Sequence, residues 1–480
     1  MIVRAAGPRF DVALDPTGLR HEAVALRDAL VAQGTRVLAT LLDSSPAWVV
    51  ADEAAALAGV VHVPLPLFFS ETQTAHALRS AGVDTLLVPA GAAARWPALA
   101  GPQRMIAGTS CALMRLDAIT APIPPGTVKI TFTSGSTGAP KGVCLSRAAL
   151  DAVRDALVEA LAPLKIERHL CALPLAVLLE NVAGLMAPIA AGATCIVPPL
   201  ARLGLGGSSS FDPALFHAAV LEQEPNSLIL LPQMLRVWAG FLARTGRRAP
   251  ASLRFVAVGG APVGTRLLAS ARSLGIPAFE GYGLSEAASV QTLNLPGADR
   301  PGSVGRPLPH AQVRVAADGE IEVGGSLFNG YLGEGDPPRA DWWPTGDLGS
   351  IDAEGFLHVT GRKKNMLITG FGRNVAPEWV ETALRGEDAI AEAVVFGDAE
   401  PSLSAVVWPS PLAGDDLQLQ RAVDAANATL PDYARVRRWV RGRAAFDADS
   451  GFATGNGRPQ RAAIWRAHRD SLTQLPAGSA

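Results

Sequence analysis

The chain lacks three features that would narrow its function at once: a charge of one sign, paired cysteines and clustered metal ligands. Its 42 basic and 44 acidic side chains leave a formal net charge of -2, so the global balance gives no support for binding nucleic acid or an anionic membrane. The cysteines form no CxxC pair and have no histidine at zinc-site spacing, which predicts reduced thiols and no structural metal. They are Cys111, Cys144, Cys171 and Cys195.

Targeting and membrane-spanning segments are also lacking. The amino terminus, MIVRAAGPRFDVALDP, has no continuous apolar core of the kind found in signal peptides, so we expect a cytoplasmic protein. Residues 182–201 carry no charge over a length that could span a bilayer, but prolines and glycines interrupt them. We therefore predict a short helix followed by a buried strand near residues 194–197, and no transmembrane segment.

The chain is instead rich in apolar residues and long enough for several cores. With 480 residues, 49% of them hydrophobic, it predicts two or more domains. Segments with helical spacing alternate with short apolar segments of strand length, which predicts an α/β fold of parallel sheets wrapped by helices. The predicted helices are residues 22–33, 47–57 and about 146–161, and the predicted strands are residues 37–42, 227–231 and 253–258.

The pattern changes after residue 300. Between residues 301 and 359, short strand-like segments alternate with turn signals, which predicts a small β-barrel or antiparallel sheet. A charged segment then opens a small α+β unit that continues to the end of the chain. We therefore expect an amino-terminal domain over residues 1–362, with its β subdomain at about 301–360, and a carboxy-terminal domain over residues 363–480.

The strongest functional signal is a loop of small residues, here called the phosphate loop. Residues 133–143 read TSGSTGAPKGV and follow an apolar segment. Such small side chains let backbone N–H groups converge on an anion, while hydroxyl groups add donors and Lys141 adds positive charge. Lys141 stands between proline and glycine, unlike the lysine of the common NTPase P-loop, so a kinase-like NTPase is disfavoured. The other predicted phosphate ligands are Thr133, Ser134, Gly135, Ser136, Thr137 and Gly138.

Three further turns carry groups suited to a nucleotide. GGAP, which begins at Gly259, follows a predicted strand at the edge where parallel sheets bind ligands. GYGLSE offers the ring of Tyr282 for a planar base and the carboxylate of Glu286 for a divalent cation. TGDLG places Asp347 where it can accept hydrogen bonds from a ribose diol. Taken singly, a plain turn, a packed ring or a solvated carboxylate would also account for these residues.

In this order the motifs resemble those of the adenylate-forming superfamily, which includes acyl-CoA synthetases and other AMP-dependent synthetases and ligases. The resemblance covers nearly the full chain, with a somewhat short amino-terminal part. It implies that Glu286 binds Mg²⁺ and that ATP lies against Gly259, Gly260, Ala261, Tyr282, Gly283, Ser285, Asp347 and Arg362. Tyr282 is then the adenine platform, and Asp347 is the ribose ligand. The acid is implied to lie near Gly259, Gly283 and Leu284.

The carboxy-terminal motifs match the same superfamily with one departure. GRKKN corresponds to a hinge about which a small mobile domain rotates between an adenylating and a thioester-forming pose, and the implied pivot is Lys364. TGNGRPQR has Arg458 where the family carries its catalytic lysine. Arginine keeps the charge but presents a wider planar fork, and a poorly fitted contact would cost on the order of 10² to 10³ in rate. The implied catalytic groups are Arg458, Lys141 and Glu286.

A second departure lies in LPLAVLLENVAG. Many relatives carry an aromatic residue and a histidine after LPL, whereas this chain has Ala176 and Val177. Glu180 and Asn181 follow and are predicted to belong to an unusual acyl pocket. Glu180 can recognise a polar or amino group of the substrate, but a carboxylate beside an incoming carboxylate is unfavourable, so a structural salt bridge is equally open.

The resemblance implies an AMP-forming acid–thiol ligase. A carboxylic acid, fatty or of another acyl class, would attack the α-phosphorus of magnesium ATP, and the acyl group would then pass to coenzyme A or to a carrier protein's phosphopantetheine. Two alternatives share the motifs: a ligase with an amine or internal acceptor, and a catalytically impaired nucleotide-binding homologue, which Arg458 makes conceivable. The chain length of the acid does not follow, since one methylene is worth only about 1 to 3 kcal/mol of discrimination.

Overall fold

Two large sheets with parallel central strands form the amino-terminal part of the fold, and a smaller α+β unit follows them. The structure is a computed structural model and describes residues 3–4, 12–95, 101–133, 140–206, 210–334, 341–370, 373–454 and 457–474. In these ranges the helices are α1 Pro16–Ala32, α2 Pro46–Ala58, α3 Glu71–Ser80, α4 Arg147–Leu161, α5 Ala187–Ala190, α6 Pro213–Gln223, α7 Pro232–Thr245, α8 Thr265–Ser273, α9 Pro377–Arg385, α10 Asp416–Ala428 and α11 Arg461–Gln474.

The strands are short and follow one another closely along the chain. Those of the first half are β1 Val3–Arg4, β2 Ala13–Leu14, β3 Val37–Thr40, β4 Val61–Pro64, β5 Thr85–Pro89, β6 Gln103–Ile106, β7 Thr109–Arg115, β8 Thr127–Thr133, β9 Lys141–Ser146, β10 Arg168–Leu170, β11 Thr194–Ile196, β12 Leu205–Gly206, β13 Ser210–Phe211 and β14 Ser227–Leu230. Those of the second half are β15 Phe255–Val258, β16 Ala278–Leu284, β17 Ser289–Leu293, β18 Arg306–Pro307, β19 Gln312–Val315, β20 Glu320–Gly324, β21 Gly330–Tyr331, β22 Trp342–Ile351, β23 Leu357–Arg362, β24 Leu367–Ile368, β25 Asn374–Val375, β26 Ile390–Phe396, β27 Leu403–Pro409 and β28 Val436–Arg441.

The first large sheet has the order β21-β9-β8-β4-β3-β5-β7-β6, and its central strands β8, β4, β3 and β5 are parallel. The second has the order β18-β17-β16-β15-β14-β10-β11-β1-β2, and its strands from β16 to β1 are parallel. Antiparallel strands border both sheets. The central strands are buried and apolar, as expected of parallel strands covered by helices. The predicted α/β fold is thus confirmed.

Local capping explains where several helices begin. The predicted first helix starts at residue 22, whereas α1 starts at Pro16, because the Asp15 side chain accepts a hydrogen bond from the Gly18 N–H and proline suits the first helical position. The predicted helix near residue 146 is confirmed: Ser146 caps α4 by accepting from the Ala149 N–H. Sequence periodicity located the helical face, and the caps set the boundaries.

A π-helix, Glu180–Met186, lies between the two large sheets and leads into α5 and then β11. This confirms the predicted short helix and strand in the uncharged window. In the part of the chain that the structure describes, no helix combines the length and the apolar character needed to cross a bilayer.

The π-helix contacts a buried set of polar side chains, here called the Lys129 network: Thr40, Asp52, His62, Lys129 and Asn181. The Lys129 ammonium lies 2.8 Å from Asp52 Oδ1 and donates to Asn181 Oδ1. His62 joins the same carboxylate through Nδ1 at 2.6 Å and Thr40 Oγ1 through Nε2 at 2.9 Å. Because these residues come from α2, β3, β4, β8 and the π-helix, the network ties five elements together.

Beyond the large sheets, β19, β20, β22 and β23 form an antiparallel sheet, one of the two forms expected for this region. The carboxy-terminal unit packs α9, α10 and α11 on the three-stranded sheet of β26, β27 and β28. It contacts the preceding part through an Arg266–Glu387 ion pair and through Arg236, which donates to the Arg385 carbonyl. These contacts bring residues of both parts around one cavity.

Candidate active site

A cavity of about 2630 Å³ opens between the large sheets, the antiparallel sheet and the carboxy-terminal unit. Its size exceeds that of ordinary small-ligand pockets, so it has room for more than one substrate. Most of the predicted site residues in the described ranges line it, although they are scattered over more than three hundred positions of sequence. They are Thr133, Lys141, Gly259, Gly260, Ala261, Tyr282, Gly283, Leu284, Ser285, Glu286, Asp347, Arg362, Lys364 and Arg458.

The two ends of the phosphate loop are held side by side. Thr133 ends β8, Lys141 begins β9, and the two residues are paired across the antiparallel ladder. The apolar segment before the loop is thus the strand β8. The intervening residues 134–139 lie outside the described ranges, and they include Ser134, Gly135, Ser136, Thr137 and Gly138. Their contacts therefore stay a prediction.

The turn after β15 and the strand β16 form one wall of the cavity. β16 pairs in parallel with β15 up to Glu280 and then in antiparallel fashion with β17, with a register shift between Tyr282 and Gly283. Gly283 is required at that shift, because a Cβ atom there would lie 2.0 Å from the Ser289 carbonyl oxygen. The change of partner strands thus depends on a residue without a side chain, and Tyr282 beside it lines the cavity.

Asp347 is held by two neighbours. It lies opposite Arg362 across β22 and β23, and Arg362 Nε is 2.8 Å from its Oδ1. The Tyr282 hydroxyl donates to Oδ2 at 2.7 Å. Burial raises the pKa of Asp347, while Arg362, Tyr282 and Arg458 act in the opposite direction. Each carboxylate oxygen has a second lone pair, so the group can still accept a hydrogen bond from a diol.

Arg458 brings a positive charge from the carboxy-terminal unit to this wall. The residue is exposed to the cavity, yet the surrounding protein desolvates its guanidinium and lowers its pKa; Arg362 acts in the same direction, and Asp347 and Glu286 oppose it. Arginine still stays protonated in proteins. The site therefore contains two guanidinium groups and two carboxylates close enough to influence one another.

Glu286 has the position and chemistry expected of a Mg²⁺ ligand. It lies in a short 3₁₀ turn directly after β16, and its Oε1 accepts from the Tyr331 hydroxyl at 2.8 Å. No described residue donates a hydrogen bond to its other carboxylate oxygen. Mg²⁺ commonly binds through one or two carboxylates together with substrate phosphates. Glu286 lies on the cavity wall and shares the contact residue Tyr331 with Lys141 of the phosphate loop, which fits that arrangement.

The structure corrects the expectation that Glu180 and Asn181 contact the substrate. Both are buried behind the cavity wall and do not line it. Glu180 Oε1 lies 3.5 Å from His169 Nε2, and its Oε2 accepts from the Leu173 N–H. Asn181 accepts from Lys129. The structural alternative, a buried pair, is therefore the arrangement observed.

The carboxylate of Glu180 also lies close to Cys171, and with His169 these groups have the composition of a metal site. The backbone at Gly184 packs directly against two of these groups. A Cβ atom at Gly184 would lie 2.3 Å from Glu180 Oε1 and 3.0 Å from His169 Nε2, so the adjacent space is filled.

Sequence reasoning missed several residues of the cavity, and Tyr331 and Glu280 are two that bear on its chemistry. Tyr331 contacts both Glu286 and Lys141, and the only sequence signal is a Gly-Tyr pair like the one at Tyr282. Glu280 is buried two positions before Tyr282, and burial raises its pKa to about 7. Nothing in the local sequence distinguishes it from a solvated glutamate.

Comparison with known proteins agrees with this geometry. The family model of the AMP-binding enzyme matches residues 19–332, and that of the AMP-binding enzyme C-terminal domain matches residues 364–476. The chain therefore belongs to the AMP-binding enzymes, the adenylate-forming superfamily that its motifs resemble, and the assignment made from the sequence is confirmed.

Individual relatives differ in their acids. The chain is 41% identical over 181 residues to a long-chain-fatty-acid–CoA ligase of Mycobacterium bovis, a match that covers 37% of this chain and only 30% of that relative. It is 32% identical over 426 residues to a feruloyl-CoA synthase of an Amycolatopsis species, with 82% of each chain covered. The O-succinylbenzoate coenzyme A synthetase of Bacillus subtilis, solved in complex with ATP and magnesium ion, is similar in structure, with 25% identity, a TM-score of 0.71 and 92% of each chain covered.

Proposed function

We propose that this protein activates a carboxylic acid with ATP to an acyl-adenylate and then transfers the acyl group to a thiol, either of coenzyme A or of a carrier protein's phosphopantetheine. The observation that carries the proposal is the gathering of Lys141, Glu286, Asp347, Arg362 and Arg458 around a single cavity. Relatives named as acid–CoA ligases support the same reaction class.

The residues divide between holding the nucleotide and stabilising charge. Asp347, fixed by Arg362 and Tyr282, is the proposed ribose ligand, and the Tyr282 ring is the proposed adenine platform. Ser285 is the proposed phosphate or substrate contact. Mg²⁺ bound at Glu286 would offset the negative charge of the phosphates. Lys141 and Arg458 then stabilise the charge that develops as the acid's oxygen attacks the α-phosphorus and pyrophosphate leaves.

The pose of the carboxy-terminal unit suits the adenylation step, because Arg458 reaches the same wall as Asp347 and Glu286. Lys364 is the proposed pivot for the second step. Its neighbour Lys363 forms ion pairs with Asp318 and Glu320 of the preceding sheet, whereas Asn365 donates to Glu378 on α9. Lys364 thus stands between anchors to the two parts, so the proposed boundary of the two domains falls near residue 363.

The apolar part of the cavity indicates the kind of acid. Its wall includes the pocket residues Val177, Leu179 and Ala183 from the segment that leads into and through the π-helix, together with Leu157 of α4 and Phe255 of β15. The side chains named here are apolar, and neither Glu180 nor Asn181 lines this wall. We therefore propose an acid with an apolar body, of fatty or aromatic type.

A second candidate function follows from Arg458. A nucleotide-binding homologue with impaired catalysis would retain ATP binding and show no carboxylate-dependent exchange of pyrophosphate. The presence of the guanidinium on the cavity wall favours catalysis instead, because a positive charge is kept where the family places its lysine.

The two candidates are separated by a panel of aliphatic and aromatic acids scored for AMP formation, with coenzyme A and phosphopantetheine as acceptors. We expect acid-dependent AMP formation by the wild-type protein, and a decrease of about tenfold or more in Arg458→Lys, since lysine cannot reproduce a fitted planar fork. Arg441→Lys, at an exposed position of the same domain, is the matched control. An inactive wild type that gains activity in Arg458→Lys would support the impaired homologue and contradict our proposal.

A further inference from the structure

Tyr331 contacts two oppositely charged groups of the proposed site. Its hydroxyl donates to Glu286 Oε1 at 2.8 Å. Its ring lies beneath the Lys141 ammonium, with 4.8 Å between Nζ and the ring centre, while the same ammonium forms a 2.7 Å ion pair with Glu334. The face of the ring can attract the Lys141 ammonium while the Tyr331 hydroxyl keeps its hydrogen bond to Glu286. One side chain therefore links a metal ligand to the lysine of the phosphate loop.

The position of the Tyr331 ring is fixed by its surroundings. The backbone of β21 pairs with β9, and Tyr331 lies opposite Val143, two residues after Lys141. The ring packs edge-on against Phe328 at 5.0 Å and Trp343 at 6.1 Å between ring centres. Ring contacts of this geometry hold a side chain in one orientation. The hydroxyl is therefore presented to Glu286 by a rigid support.

Glu286 is held at a second point by the same segment. The Phe328 N–H donates to the Glu286 carbonyl oxygen at 2.8 Å, so residues 328–331 fix both its main chain and its side chain. The Tyr331 hydroxyl is the donor in this contact, because a carboxylate oxygen accepts. Tyr331 thus engages one carboxylate oxygen, and no residue in the described ranges donates a hydrogen bond to the other.

We propose that Tyr331 is a positioning residue: it orients the Glu286 carboxylate for Mg²⁺ and holds Lys141 near the phosphates of ATP. The inference deepens the proposed function and rests on it. A side chain that only packs would support the fold without changing the metal dependence of nucleotide binding. Dependence on Mg²⁺ is therefore the property that distinguishes the two roles.

The test is ATP binding by titration calorimetry, measured over a series of Mg²⁺ concentrations and in EDTA, with no acid present. Tyr331→Phe keeps the ring and its contact with Lys141 but removes the hydroxyl. We expect the Mg²⁺ concentration needed for half of the gain in ATP affinity to rise about tenfold, since a hydrogen bond to a charged group is lost. Affinity in EDTA should stay at the wild-type level. Tyr331→Leu should also weaken binding in EDTA, by about two- to fivefold, because Lys141 loses its aromatic contact.

Tyr433→Phe is the matched control, because Tyr433 is exposed on the carboxy-terminal unit, and its binding curves should equal those of the wild type. Thermal melting of each variant reports whether the fold is intact. A wild-type Mg²⁺ dependence in Tyr331→Phe overturns the inference and leaves the proposed function standing. A wild-type protein that binds no ATP, or binds it without regard to Mg²⁺, overturns both.

Discussion

Replacing Asp52 with asparagine should leave a buried ammonium without its counter-charge. Lys129 is 6% exposed at its side chain, and Asp52 supplies the carboxylate 2.8 Å from its Nζ. Removing one partner of a buried ion pair costs about 3 to 5 kcal/mol. The Asp52 side chain is 16% exposed, and Asn181 would still accept from Lys129, so we expect the lower end, about 3 kcal/mol of unfolding free energy.

The pH dependence has a definite sign. Burial alone would raise the pKa of Asp52, but Lys129 and then His62 outweigh it, so its pKa lies below the ordinary aspartate value. A depressed carboxyl pKa contributes stability above the pKa of the unfolded chain, about 3.9, and that stability is lost as the pH falls toward the folded pKa. The free energy of unfolding of Asp52→Asn should therefore differ less from that of the wild type under acid conditions than at neutral pH.

Urea unfolding followed by tryptophan fluorescence provides the assay, because the Trp48 ring is fully buried and lies 5.5 Å from the His62 ring. Asp28→Asn, at an exposed position of α1, is the control and should change stability by less than about 0.5 kcal/mol. In the double variant with Lys129→Met, the loss should be smaller than the sum of the single losses, since no unpaired charge remains. A cost below about 1 kcal/mol for Asp52→Asn, or strict additivity in the double variant, would refute the reasoning.

Two further predictions concern the wall of the active site. Burial raises the pKa of Glu280 to about 7, against about 4.3 in the unfolded chain, so only the folded state keeps this proton between those two pH values. The free energy of unfolding therefore falls as the pH rises through this range, by up to about 4 kcal/mol. Glu280→Gln should flatten that slope in urea midpoints measured from pH 5 to pH 8, and an unchanged slope would show that another group is responsible. Gly283→Ala should abolish ATP binding, because the added Cβ would collide with the Ser289 carbonyl oxygen. Gly91→Ala is the control and should bind ATP normally, since its Cβ would meet no atom within 4 Å. Normal binding by both variants would contradict the requirement for glycine at position 283.

Much of the fold followed from the sequence because its signals are local. The alternation of apolar strands and amphipathic helices predicted the parallel sheets, and the strand β14 and the helix α4 lie within a residue of their predicted bounds. The start of α1 was wrong by six residues, because a single capping aspartate, Asp15, outweighed the apolar periodicity. The predicted residues of the cavity come together although the sequence separates them: Gly259 follows β15, Tyr282 lies on β16, and Asp347 lies on β22.

The errors arose where a side chain depends on a distant partner. The sequence predicts Glu180 as a pocket residue because it follows the LPL motif. In the structure its side chain instead contacts His169, on a strand of the second large sheet. Asn181 depends on Lys129, 52 positions away, and Tyr331 depends on Glu286, 45 positions away. No local pattern encodes such pairs, because they form only once the sheets have come together.

The anchoring of the π-helix has a consequence for how substrate preference can change. Glu180 contacts the second large sheet and its neighbour Asn181 contacts the first, so two consecutive buried residues hold the π-helix to both sheets. The side chains just before them, such as Val177 and Leu179, line the cavity and take no part in these two contacts. Replacing them with bulkier or smaller side chains should leave the position of the π-helix unchanged. This short segment is therefore where we expect substitutions to change the preference for the acid.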